Sequence, residues 1–284
     1  MGTTTLTVDE KEANQQGLLA WVESINERLG EDPRSLPGPV LVIHPESMDT
    51  PKISTGVPQL DYIAGGGLPA GRIIEIIGRP NTGKSSIATS IAAAIQEEGK
   101  NVLWVDAENG FNPDYARKNA LDIDSQFSLL KPCFYEDTLK VIELAARSQR
   151  FGLIVFDSLV MMLPSKDWDN KTYGEDGVVG IAPDLLQGFC TQVIPLLFHS
   201  QTTLLLINQP RRSITPYGTY DHSWHNHPVS ICLETTQIQE EADDPYSAIQ
   251  VQVEVIKNKF AAPYQRTKLH ITSNGIQERQ LLAA

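Results

Sequence analysis

Between positions 72 and 207 the chain returns four times to a short apolar run: RIIEII at 72–77, VLWVD at 102–106, LIVFD at 153–157 and TLLLI at 203–207. Several of these runs are apolar at consecutive rather than alternate positions. A strand covered on both faces has no reason to alternate, so the runs predict parallel strands inside a covered sheet. The stretches between them predict helices over 84–98, 114–120, 137–149 and 183–199, the last kinked or split at Pro195. Strand–helix alternation of this kind predicts an α/β fold with a mostly parallel central sheet and helices on both faces.

Beyond position 248 the period changes to two. Over 249–257, Val251, Val253 and Val255 alternate with Gln250, Gln252 and Glu254, and a second strand is predicted over 266–272. Strict alternation carries the valine face on into Lys257 and Lys259. Two readings of that pair stand: lysines that keep a strand end soluble, or cations that meet an anion. At the other end, Leu18, Trp21, Val22, Ile25 and Leu29 form one apolar helical stripe over 17–29, closed by Gly30, and PGPVLVIHP holds a short strand near 40–44. Residues 1–16 are polar and without period, which predicts disorder. The expected division is a disordered 1–16, a helix–strand element over 17–50 and an α/β core over 51–284. The stretches 164–182 and 209–229 are long for loops, and such loops are usually functional or disordered.

Composition narrows the class. With 284 residues, 41% of them hydrophobic, the chain can bury one sizeable core. Its net charge of −12 excludes indiscriminate polyanion binding, so any nucleic acid must meet a local basic patch. Cys133, Cys190 and Cys232 have neither zinc nor disulfide-framework spacing and fit a reducing compartment. The polar N-terminus has no signal core and no apolar run reaches the ~18 residues of a membrane span. The expected setting is cytoplasmic, with no membrane partner.

The chemistry concentrates in GRPNTGKSS at 78–86. Gly78, Gly83, Lys84 and Ser85 fill the pattern G-x-x-x-x-G-K-[ST], after a predicted strand and at the opening of an Ala-rich helix. In that setting the loop N–H groups of Arg79, Pro80's neighbours Asn81 and Thr82, and the helix start at Ser86 point at phosphate oxygens. Pro80 itself has no N–H and shapes the turn. Lys84 reaches the β- and γ-phosphates and the Ser85 hydroxyl ligates Mg²⁺, so the expected ligands are ATP and Mg²⁺. Asp157 ends the run LIVFD, where its carboxylate either completes the Mg²⁺ shell or caps a helix. Glu108, two residues past the strand that ends at Asp106, is a candidate base or water-orienting carboxylate.

The order of motifs resembles the bacterial RecA recombinase family, including its phage-encoded members. The matching pieces are ISTGVPQLDYIAGGGLPAGRIIEIIG, GRPNTGKSS, VDAENGFNPDYARKNALDID, LIVFDSLVMMLP, TLLLINQPRR and VIKNKFAAPY, over roughly 53–275. The resemblance implies a helical filament with ATP between adjacent subunits, and an N-terminal helix and strand that pack on a neighbour. It implies that Lys257 and Lys259 reach the neighbour's γ-phosphate, that Glu108 activates water and that Gln209 senses the γ-phosphate. It also implies that Tyr115 packs on adenine. Asn112 stands near the adenine where the family usually has an aspartate. The second loop, PRRSITPYGTYDHSWHNHP, offers Arg211, Arg212, Tyr217, Tyr220 and Trp224 for single-stranded DNA, by phosphate pairing and base stacking. It lacks the family's Gly-Gly-Asn segment, and an ordinary solvated or subunit-docking loop is the other reading. Asp184, Gln187 and Thr191 stand where the family carries basic contacts to DNA, and an acid there opposes phosphate. His222, His225 and His227 match no standard zinc spacing. The chain stops where the family carries a C-terminal domain that helps capture duplex DNA. The expectation is a DNA-dependent ATPase that forms filaments on single-stranded DNA, pairs it with duplex DNA and exchanges strands. A regulatory RecA-like ATPase without strand exchange and a ring-type DNA motor are the alternatives.

Overall fold

A computed structural model describes residues 16, 18–24, 27, 50–132, 134–158, 183–209, 212–215, 218–221, 228–238 and 248–277. The chain divides into Met1–Thr50 and Pro51–Ala284. In the first unit residues 18–24 are helical. Val22 on the predicted stripe is buried, whereas Leu18 and Trp21 are exposed. Ile25, Leu29, Gly30 and the strand expected at 40–44 lie outside the described residues.

The second unit opens with β1 (Lys52–Ile53), α1 (Pro58–Ala64) and β2 (Leu68–Pro69). Then come β3 (Ile73–Gly78), α2 (Lys84–Glu97), β4 (Asn101–Asp106), α3 (Pro113–Lys118), β5 (Phe127–Leu130), α4 (Tyr135–Arg147) and β6 (Phe151–Asp157). After α5 (Pro183–Ser200) and β7 (Thr203–Asn208) a hairpin, β8 (Arg212–Thr215) and β9 (Gly218–Asp221), stands inside the stretch expected to be irregular. The chain closes with β10 (Ile231–Ile238), β11 (Ala248–Asn258), β12 (Arg266–Thr272) and β13 (Gly275–Gln277).

Nine strands form one sheet in the order β13-β12-β11-β10-β3-β7-β6-β4-β5. The six from β10 to β5 are parallel, and β11, β12 and β13 continue antiparallel. This is the α/β architecture that the apolar runs predict, and β3 and β7 are buried at every position. One face packs Ile74, Ile76 and the row Val251, Val253 and Val255 against Ile87 and Ile91 of α2. On the other, α4 packs on β6 and on α5. No helix among the described residues is long and apolar enough to cross a membrane.

Of the two outcomes expected at Pro195, a kink or a split, the split does not occur: α5 runs through the proline. Val193, Leu196 and Leu197 are buried on either side of the proline, and that packing holds the helix across the missing hydrogen bond. The expected alternation fails at the lysines. Leu233 faces Val255, but the next residue back, Cys232, faces Lys257, so Ile256 is the extra residue of a β-bulge. A bulge reverses the alternation. Lys257 therefore lies in one row with Cys232 and Glu75, on the face opposite the valines. Lys259 follows beyond the strand end, where its N–H donates to the Ser230 carbonyl and its side chain lines a cleft with Arg72, Ile73 and Leu197.

Candidate nucleotide site

The loop 79–83 joins β3 to α2 at the C-terminal edge of the parallel strands, where open α/β sheets place ligands. Two glycines are required there. Gly83 has φ of 78°, which favours glycine, and a Cβ on Gly78 would collide with the Thr235 hydroxyl and backbone. The turn is pinned from inside: the Thr82 hydroxyl lies 2.8 Å from the Arg79 carbonyl and 2.7 Å from the Thr235 hydroxyl. The loop backbone is thereby fixed before any phosphate meets it.

Lys84, Ser85, Glu108, Asp157 and Gln209 converge on one cleft of about 580 Å³, with Pro80, Asn81, Thr82, Gly83 and Ser86 on its phosphate-loop wall. The Lys84 ammonium donates to the Arg79 carbonyl at 2.7 Å, inside the loop. Burial lowers its pKa, and the carboxylates of Asp157 and Glu108 oppose that shift. Ser85 donates to Asp157 Oδ2 at 2.8 Å. The Asp157 carboxyl is pushed up to about 6, chiefly by burial and then by Glu108 and Asp106, against the Ser85 hydrogen bond and Lys84. A carboxylate held this way is favoured by an added cation. Ser85 and Asp157 are hard oxygen donors beside a phosphate cradle, the donor set that suits Mg²⁺ with phosphate and water completing the shell. Among the described residues no three His, Cys, Asp or Glu side chains form a metal cluster.

Glu108 stands across the cleft, bonded to the Ser158 hydroxyl and, at 3.3 Å, to Gln209 Nε2. Asp106 is committed elsewhere: its two oxygens accept the N–H groups of Gly110 and Phe111 and fix the loop after β4. That leaves Glu108 as the carboxylate free to face a water. Gln209 follows β7 directly, and its own N–H donates to Asn208 Oδ1 at 2.8 Å.

The adenine-side residues have local roles as well. Asn112 caps α3 by accepting the Tyr115 N–H at 3.0 Å, and the Tyr115 hydroxyl donates to Ser86 at 2.8 Å, beside the loop. Neither lines the cleft with the phosphate loop. Two residues that do, Gln237 and Ile249, were not foreseen. They come from β10 and β11; the alternation of Ile231, Leu233 and Thr235 with Glu234 and Thr236 was the available signal for β10.

Lys257 and Lys259 are not in this cleft. β10 runs from Ile231, paired with Ile74 near the start of β3, to Thr235, paired with Gly78 at its end, and Asn258 of β11 is paired with Ile231. Four residues of strand, roughly 13 Å, separate that level from the phosphate loop. A lysine side chain does not span that distance. Of the expected DNA contacts, Arg212 and Tyr220 fall in β8 and β9; Asp184, Gln187 and the exposed Thr191, which replace the family's basic contacts, lie on α5. Arg211, Tyr217, Trp224, His222, His225 and His227 lie outside the described residues, as does Cys133.

With this geometry in place, the comparisons with known proteins bear on it. A family model described as the RecA N-terminal domain matches residues 34–277. The crystal structure of the RadB recombinase superposes with a TM-score of 0.58 at 20% sequence identity, over 80% of this chain and 100% of that chain. At that identity the likeness bears on the fold.

Proposed function

The chain belongs to the RecA family, and on that premise we propose that it is an ATP-dependent recombinase. It assembles on single-stranded DNA, pairs it with duplex DNA and hydrolyses ATP to release it. The hydrogen bond from Gln209 to Glu108 carries the reading. It ties the group facing the attacking water to the strand end that runs straight into the second loop. A nucleotide that moves Glu108 or draws Gln209 away therefore moves that loop, and DNA bound there acts back on hydrolysis.

In this reading Lys84 binds the β- and γ-phosphates, leaving the Arg79 carbonyl to do so. Glu108 accepts a proton from the water and Gln209 holds Glu108 in place until the γ-phosphate engages it. Ser85 and Asp157 would hold Mg²⁺, which neutralises charge developing on the phosphate oxygens. Tyr115 lies against the adenine, with Asn112 beside it. Arg211 and Arg212 pair with DNA phosphates, and Tyr217, Tyr220 and Trp224 stack on bases. Lys257 and Lys259 serve the γ-phosphate of the adjacent subunit; the roughly 13 Å of sheet between their level and their own loop supports action between chains. The element within 17–50 packs on that neighbour. The setting is the cytoplasm of a bacterium, with or without a phage.

Electron microscopy with ATP and single-stranded DNA tests the assembly. Helical filaments are expected; closed rings would favour a DNA motor, and monomers the regulatory ATPase. That second reading is favoured by one observation, the acidic Asp184 on α5. A strand-exchange assay separates it: filaments that pair no duplex would leave a regulatory protein.

A further inference from the structure

β3 contains a charged residue that the nucleotide chemistry does not use. Glu75 stands among isoleucines in β3 and is fully buried. A buried carboxylate is tolerated where hydrogen bonds and a counter-charge hold it. Its Oε1 accepts from Asn208 Nδ2 at 2.8 Å, and its Oε2 accepts from the Cys232 thiol at 3.4 Å. Both of those partners are neutral donors. The cation comes from β11, the strand beyond β10, because register aligns Glu75 of β3, Cys232 of β10 and Lys257 of β11 side by side.

That alignment exists only because of the bulge at Ile256. Without it Lys257 would continue the valine row beneath α2. With it, the strand turns one residue to the face where the carboxylate lies. Burial and then Lys259 lower the Lys257 pKa, and Cys232 and Glu75 act against that shift.

We propose that Glu75 is a positioning residue for Lys257, a buried carboxylate that holds the lysine on the face opposite the valines, at the level of the sheet where the neighbouring subunit meets it. The proposal rests on the reading that Lys257 acts between subunits. It adds that the lysine is set by its own chain before the neighbour's nucleotide meets it. The anchoring amide belongs to Asn208, whose Oδ1 holds the N–H of Gln209.

Mixing experiments test this with Glu75→Gln, which keeps the shape and removes the charge. The control mixture is Lys84→Ala with Lys257→Ala/Lys259→Ala. There the active junction places an intact phosphate loop against intact lysines, and DNA-stimulated hydrolysis should return. If it does not, with both variants folded and co-assembled, the between-subunit reading fails and Glu75 loses its proposed role with it. Where the control succeeds, Glu75→Gln mixed with Lys84→Ala should match it, since Glu75→Gln supplies only the phosphate loop. Mixed with Lys257→Ala/Lys259→Ala it must supply the lysines, and the return should be about tenfold smaller.

A merely structural defect would lower both mixtures alike. Equal return in the two, or loss only in the first, overturns the proposal while leaving the between-subunit reading intact. If Glu75→Gln does not fold, Lys257→Met is added to it. A regained thermal transition in the double variant supports the pairing, and none regained overturns it.

Discussion

The two ends of one sheet carry opposite electrostatic arrangements. At the C-terminal edge of the parallel strands, Asp157 and Glu108 face Lys84, and burial drives the Asp157 carboxyl up to about 6. Toward the other edge Arg72 and Lys259 line one cleft, Lys257 stands in register with the buried Glu75, and burial drives Arg72 and Lys257 down. The first end is built to gain from added cations beside a phosphate, the second from an added anion. One nucleotide with its metal, held between two copies of the chain, would meet both needs. The acidic end is tied down within its own chain through Ser85–Asp157, Ser158–Glu108 and Gln209–Glu108. It should therefore bind nucleotide as a monomer, while the basic end should matter only after assembly.

The largest break in this contrast should come from Lys84→Ala. The phosphates lose the Lys84 ammonium, and both nucleotide binding and hydrolysis should fall by about 10³ or more, read by titration and phosphate release. Hydrolysis at the parental rate would remove the phosphate-loop assignment. Glu108→Gln should retain nucleotide and slow turnover by about 10³, because an amide cannot take the water's proton. Unchanged turnover would exclude Glu108 as the base; Asp106, with both oxygens engaged by the loop backbone, is not a substitute. Lys257→Ala/Lys259→Ala should leave nucleotide affinity of the isolated chain unchanged and cost about 10² in DNA-stimulated hydrolysis. A loss of affinity in the isolated chain would collapse the distinction between the ends. Arg211→Ala/Arg212→Ala should be smaller still: the salt slope of DNA binding should drop by about two units, one for each phosphate contact.

The acidic end was largely legible in the sequence. Gly78, Gly83, Lys84 and Ser85 owe their places to a local spacing, and Asp157, Glu108 and Gln209 each follow an apolar run whose end can be read directly. The basic end was not. Its geometry turns on Ile256, one residue in a strand whose alternation looks perfect, and a bulge depends on the partner strand's hydrogen bonds rather than on the bulged sequence. Glu75 drew no attention for the same reason: inside RIIEII it reads as a tolerated polar residue, and its partners lie 133 and 157 positions away. β5, β10 and the β8–β9 hairpin were missed because they are short or half polar, and a propensity signal that weak is decided by neighbours in the sheet. α5 went the other way, its packing outweighing a proline.

The smallest effect gives the sharpest test of the acidic end. The Asp157 carboxyl has an ordinary value of 3.8 and sits at about 6 in the fold. Between those two values the folded chain holds a proton that the unfolded chain has released. Stability should therefore fall as pH rises through the window, by up to about 3 kcal/mol from this group alone. Mg²⁺ with nucleotide favours the ionised carboxylate and should cancel the fall. The gain in melting temperature on adding Mg²⁺ and nucleotide should then grow from pH 5 to pH 7 by several degrees. Other carboxylates titrate nearby, so the informative quantity is the difference between the parent and Asp157→Asn, which has nothing to ionise. That variant should show a flatter gain across the same range. Lys257→Ala/Lys259→Ala should keep the parental slope, because those cations stand at the other end of the sheet. A slope unchanged in Asp157→Asn would mean that Asp157 does not meet the ion, and Ser85 would have to hold it with another partner.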